Sequence, residues 1–85
     1  MSKQFQVDVV SARESIFSGA ATFVALPGES GELGILPGHI SLLGVLVDGE
    51  VVVKETNGQS TTFQIHGGFL SVNKDRVSIL GESSN

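Results

Sequence analysis

The 85-residue chain has no cysteine, no tryptophan and no tyrosine, and only two prolines. Without cysteine there is no disulfide framework, no thiolate metal site and no thiol nucleophile. A small domain that does without disulfides fits a reducing compartment. Basic residues are few: Lys3, Arg13, Lys54, Lys74 and Arg76 stand apart from one another against nine acids, for a net charge of −4. Nucleic-acid binding, which needs clustered Lys and Arg, is therefore excluded as an expectation. Long apolar runs are missing too. Runs free of charged and polar side chains, residues 42–47 among them, reach at most six residues, far short of the ~18–20 residues of a membrane span. Met1-Ser2-Lys3-Gln4 leads into alternation rather than an apolar signal core.

What the chain does have is glycine, 11 of 85 residues, placed between short apolar runs. That is how an all-β chain is punctuated. Phe5, Val7 and Val9 alternate with Gln4, Gln6 and Asp8, the pattern of a half-buried strand. Residues 21–26 form a second run, stopped by Pro27-Gly28. Residues 42–47 and 51–54 flank Asp48-Gly49, and residues 54–56 and 60–65 flank Asn57-Gly58. Both dipeptides suit a type I′ hairpin turn, whose central residues need positive φ. Gly67-Gly68 and Asn73-Lys74-Asp75 divide the remainder, so the second half reads as a meander of about five strands. Ser11-Ala12-Arg13-Glu14 matches a helix capping box, but no helical run follows it, and a turn or short edge strand is expected there. Eight to ten short strands must each bury one face. Two packed antiparallel sheets are the simplest arrangement, with a closed barrel as the alternative. Size scaling gives about 4,800 Å² exposed when folded, which allows one domain, residues 1–80, with a short polar tail at 81–85.

Motifs that carry chemistry are largely missing. Gly28-Glu29-Ser30-Gly31 lacks nucleophile-elbow spacing. His39 and His66 have no second histidine or cysteine at ligand spacing. The glycines at 28, 31, 34 and 38 lack the lysine of a phosphate loop and carry Glu29 and Glu32, which repel phosphate. No catalytic residue, metal ligand or cofactor is assigned. What stands out is Gly31-Glu32-Leu33-Gly34-Ile35-Leu36-Pro37-Gly38-His39, with three large aliphatics among glycines and a proline. Leu33, Ile35 and Leu36 must be buried in the chain's own core, as in a compact loop, or against another protein.

This stretch, G-x-L-G-I-x-P-G-H, resembles the signature of the epsilon subunits of bacterial F-type ATP synthases, in their N-terminal β-sandwich domain. Val9-Val10-Ser11 with Phe17-Ser18-Gly19, and Gly67-Gly68-Phe69-Leu70-Ser71-Val72, resemble the family's flanking blocks in the same order. The resemblance implies a ten-stranded antiparallel sandwich in two five-stranded sheets. It also implies a non-catalytic central-stalk subunit that touches the gamma subunit and the proteolipid (c) ring and couples proton flow to ATP synthesis, without nucleotide of its own.

By the same resemblance, Glu29, Ser30, Gly31, Glu32, Leu33 and Gly34 face the ring, and His39, Ile40, Ser41, Leu42 and Leu43 face gamma. The implied location is peripheral, at the cytoplasmic face of a bacterial plasma membrane. Family members usually continue into an inhibitory pair of C-terminal helices. This sequence stops at Asn85, so the inhibitory and nucleotide-binding roles of those helices are not assigned to it. The competing readings are a β-sandwich interaction module unrelated to rotary motors, and a small hydrolase using His39 or His66 with a serine.

Overall fold

The computed structural model describes residues 4–11, 15–38 and 41–81. Its regular structure is entirely β: β1 (Phe5–Val10), β2 (Ser15–Gly28), β3 (Gly31–Ile35), β4 (Ser41–Leu46), β5 (Gly49–Glu55), β6 (Ser60–Ile65), β7 (Gly68–Asn73) and β8 (Arg76–Gly81). The strands form two layers that share β2. One layer runs β4-β7-β8-β1 onto the first half of β2, with β1 and β8 parallel and the other neighbours antiparallel. The other runs β3, the second half of β2, β5 and β6.

Period-2 alternation builds the core between the layers. In the first layer Val7, Val77 and Val72 form one row across β1, β8 and β7, and Val9, Ile79 and Leu70 the next, all buried. In the second, Val24 lies between Ile35 and Val53, and Val51 beside Phe63. Phe17 and Phe63 meet edge-to-face with ring centroids 5.5 Å apart, tying the first half of β2 to β6.

The strand count is eight among the described residues, not ten. The 14-residue β2 is one reason. It pairs β1 along residues 15–21, then β5 along 21–25 and β3 along 24–28. A register shift between Ala21 and Phe23 lets it bend from one layer into the other. Gly28 also pairs with Leu46 of β4. The path β2-β1-β8-β7-β4-β2 thus closes on itself, and the sandwich takes on part of the barrel alternative.

Two turns also differ from the sequence reading. Asp48-Gly49 closes no hairpin: β4 pairs β7 while β5 pairs β2 and β6, so this turn carries the chain from one layer to the other. Asn57-Gly58 does close a hairpin, but only Gly58 has positive φ, at 92°. Gly58 N–H donates to Glu55 O at 3.0 Å and Glu55 N–H to Gln59 O at 2.8 Å. This is a three-residue loop ending in a glycine bulge. Gly81, assigned to the tail from sequence, is buried as the last residue of β8. Residues 12–14, where a turn or edge strand was expected, lie outside the described residues.

Candidate docking surfaces

The outer face of the first layer is apolar where a lone domain would be polar. Val45, Phe69, Leu80 and Val10 are register neighbours in one row across β4, β7, β8 and β1. All four are exposed, Phe69 at 56% and Leu80 at 50%. The next row, Leu43, Ser71, Ser78 and Asp8, keeps one large aliphatic, Leu43, at 82% exposure. The third row, Ser41, Asn73, Arg76 and Gln6, is polar. The face therefore grades from an apolar band to a hydrogen-bonding rim. The corresponding row of the second layer, Gly34, Ala25, Val52 and Thr62, holds only small or half-buried side chains apart from Thr62. Contiguous exposed apolar side chains with a polar margin mark a protein-binding surface.

The rim is organised around Asp8. Its carboxylate accepts from Ser18 Oγ at 2.8 Å, Gln6 Nε2 at 3.2 Å and Arg76 Nη1 at 3.2 Å. Arg76 is 66% exposed in its side chain, so the ion pair is screened by water and salt. Arg76→Gln is expected to change unfolding free energy by less than about 1 kcal/mol, read from urea denaturation at low and high salt.

At the end of the molecule where β2 turns into β3, the β4–β5 turn comes alongside. Glu29 N–H donates to Val45 O at 3.2 Å, and Val47 N–H donates to Pro27 O at 2.9 Å. These bonds tie the β2–β3 turn to the end of β4. Glu32 on β3 and Glu50 on β5 flank Pro27, lining an open groove of about 400 Å³ with Gly28 and Gly31. The described lysines and arginine, Lys54, Lys74 and Arg76, lie toward the opposite end. The carboxylates at this end therefore face no basic neighbour from the described residues.

The residues singled out by sequence are thus divided between the two ends. Glu29 and Ser30 form the β2–β3 turn, with Gly31, Glu32, Leu33 and Gly34 on β3. Leu33 packs against the core and Ile35 is buried within it, while Leu36 is 64% exposed. Ser41, Leu42 and Leu43 start β4 at the opposite end and line a second open groove of about 430 Å³ with Ser71, Val72 and Asn73. His39 and Ile40 lie outside the described residues. Sequence reasoning missed Val10, Val45, Phe69, Leu80 and Glu50. The signal was present in residues 42–47, 69–72 and 77–80. There apolar residues occupy both parities of a strand, which means both faces are covered.

Among the described residues no three His, Asp or Glu gather as metal ligands. A helix-free sandwich of described residues, with a bare apolar face and a carboxylate-edged end, belongs to the class of docking modules. Residues 4–84 match the family described as ATP synthase, Delta/Epsilon chain, beta-sandwich domain, and the chain belongs to that family.

It is 52% identical over 81 residues to the ATP synthase epsilon chain of Micrococcus luteus, covering 95% of this chain and 89% of that one. A chain of the Euglena gracilis mitochondrial ATP synthase OSCP/F1/c-ring structure superposes with a TM-score of 0.87 at 26% identity, covering 94% of this chain and 51% of that chain. The present chain thus spans about half of the Euglena chain. A chain of the Tetrahymena thermophila mitochondrial ATP synthase central stalk and c-ring gives a TM-score of 0.74 at 19% identity, covering 98% and 67%, a likeness of fold.

Proposed function

We propose that the chain is the non-catalytic foot of the central stalk of an F-type ATP synthase. It joins the gamma subunit to the proteolipid ring, so that rotation driven by proton flow reaches the ATP-forming sites elsewhere. The observation that carries this reading is the apolar row Val45, Phe69, Leu80 and Val10. Gamma covers that face, with Ser41, Leu42 and Leu43 at its margin; His39 and Ile40, assigned to gamma with them, lie outside the described residues.

The ring's polar loops meet the other surface, formed by Glu29, Ser30, Gly31, Glu32, Leu33 and Gly34. There the unpaired carboxylates receive basic or amide groups. Two interfaces of about 800 Å² each would take roughly a third of the 5180 Å² surface. A sandwich whose layers share one continuous strand resists shear between them, which is what a link carrying torque requires.

No helix among the described residues is long and apolar enough to cross a membrane. In this reading the chain is held at the cytoplasmic face of a bacterial plasma membrane through its partners. It binds no nucleotide and needs no cofactor. Glu32→Lys is expected to weaken ring attachment, by 1.4 kcal/mol or more for about tenfold, while binding to gamma persists. Co-purification of the variant with gamma and with ring-containing membranes reads the two separately. Unchanged ring attachment would remove Glu32 from the interface, and failure of the unmodified chain to bind gamma would overturn the function itself.

A further inference from the structure

We infer that Asn57-Gly58 is a site of spontaneous backbone modification, converting to aspartyl and isoaspartyl forms with loss of ammonia. The inference is independent of the docking role. The β5–β6 loop needs a residue with positive φ at its third position, and Gly58 supplies it at 92°. That leaves the amide nitrogen after Asn57 without the side-chain shielding that any other residue would give it. Asn57, Gly58 and Gln59 are all exposed. Gln59 N–H donates to Asn57 Oδ1 at 2.9 Å. That bond draws electron density from the carboxamide carbon and makes it a better electrophile.

The attacking group is the Gly58 nitrogen. Its N–H must first release Glu55 O, a single turn bond of 3.0 Å. Deprotonated, the nitrogen bonds to Asn57 Cγ, the Cγ–Nδ2 bond breaks, and ammonia leaves. The resulting five-membered imide is hydrolysed by water at either carbonyl. The net change is one water consumed and one ammonia released, with no redox partner. One added carboxylate takes the net charge from −4 to −5. The isoaspartyl product also inserts a methylene into the main chain between residues 57 and 58, at a loop closed by the Glu55–Gln59 bond.

Asn73 is the internal comparison. It is also exposed, but it is followed by Lys74, whose side chain hinders attack, and it is held in register with both Ser41 and Arg76. Asparagine is among the thermolabile residues that heat-adapted proteins avoid, and here the loop geometry selects which asparagine reacts. The modified hairpin tip lies at the end of β5 away from Glu50 and in the layer opposite Phe69. Docking should therefore survive the change.

The test is to hold the intact chain at mildly alkaline and mildly acidic pH and follow residues 55–74, one tryptic peptide, by tandem mass spectrometry. The expected result is a gain of one mass unit at Asn57, faster at alkaline pH, with isoaspartate detected by isoaspartyl methyltransferase labelling. Asn57→Gln should lose the signal. No mass gain at Asn57 after prolonged alkaline incubation, a gain located at Asn73 instead, or an undiminished signal in Asn57→Gln would each overturn the inference. None of these readouts depends on gamma or the ring.

Discussion

Gly68→Ala is expected to destabilise the domain by about 4 kcal/mol or more, a size reserved for backbone clash and strain rather than lost contacts. Gly68 opens β7 opposite Gly81 of β8, with φ at +144°, where an L side chain is strained whatever the space. An added Cβ would also overlap the carbonyl oxygen of Leu80 and stand 3.0 Å from Gly81 Cα. Both obstacles are backbone in a central pair of strands, so neither can swing aside. Domains of this kind have only about 5–15 kcal/mol in hand.

The ladder supplies its own control. Gly81 sits across from Gly68, but a Cβ there would meet only Ile65 Cγ2 at 3.8 Å and Val10 O at 4.0 Å, ordinary contacts. Gly81→Ala should therefore stay within about 1 kcal/mol of the parent, while Gly68→Ala loses most of its urea midpoint. Equal effects of the two would contradict the register given for β7 and β8.

The second large effect is on binding. Phe69→Asp should weaken association with gamma by at least about thirtyfold, equivalent to about 2 kcal/mol, the threshold for an interface hot spot. Phe69 lies between Val45 and Leu80 in the middle of the apolar row. A buried interface would desolvate the introduced carboxylate there with no cation from the described residues of the row to pair with it. The side chain is already 56% exposed in the free chain, so the melting temperature should hardly move. Thr62→Asp, on the outer face of the other layer, should leave gamma binding intact. The pair of measurements separates loss of docking from loss of fold.

Much of this was legible in residue order, for reasons that can be located. Phe5, Val7 and Val9 alternate cleanly because β1 buries one face and wets the other, and the structure buries those three residues. The G-x-L-G-I-x-P-G-H stretch carried the family resemblance. Its question about Leu33, Ile35 and Leu36 resolves in two ways: the first two turn into the core and Leu36 stays outside.

What residue order could not supply is pairing between distant strands. Asp48-Gly49 looks like a hairpin locally, and only the β4–β7 and β5–β6 ladders make it a crossover. Pro27-Gly28 reads as a stop. Yet β2 runs through both residues, because Pro27 needs no N–H to accept from Val47 through its carbonyl. Phe69 and Leu80 belong to separate runs, eleven residues apart in sequence. Only the β7–β8 register sets them side by side.

The absence of cysteine makes the most direct test of the account available, a single-cysteine crosslinking footprint. Leu80→Cys and Thr62→Cys place one thiol on the outer face of each layer, and each can carry a photoactivatable crosslinker into a mixture with gamma. A crosslink to gamma from residue 80 and none from residue 62 is the expected result. A crosslink from residue 62 alone, or none from either in a mixture that otherwise assembles, would contradict it.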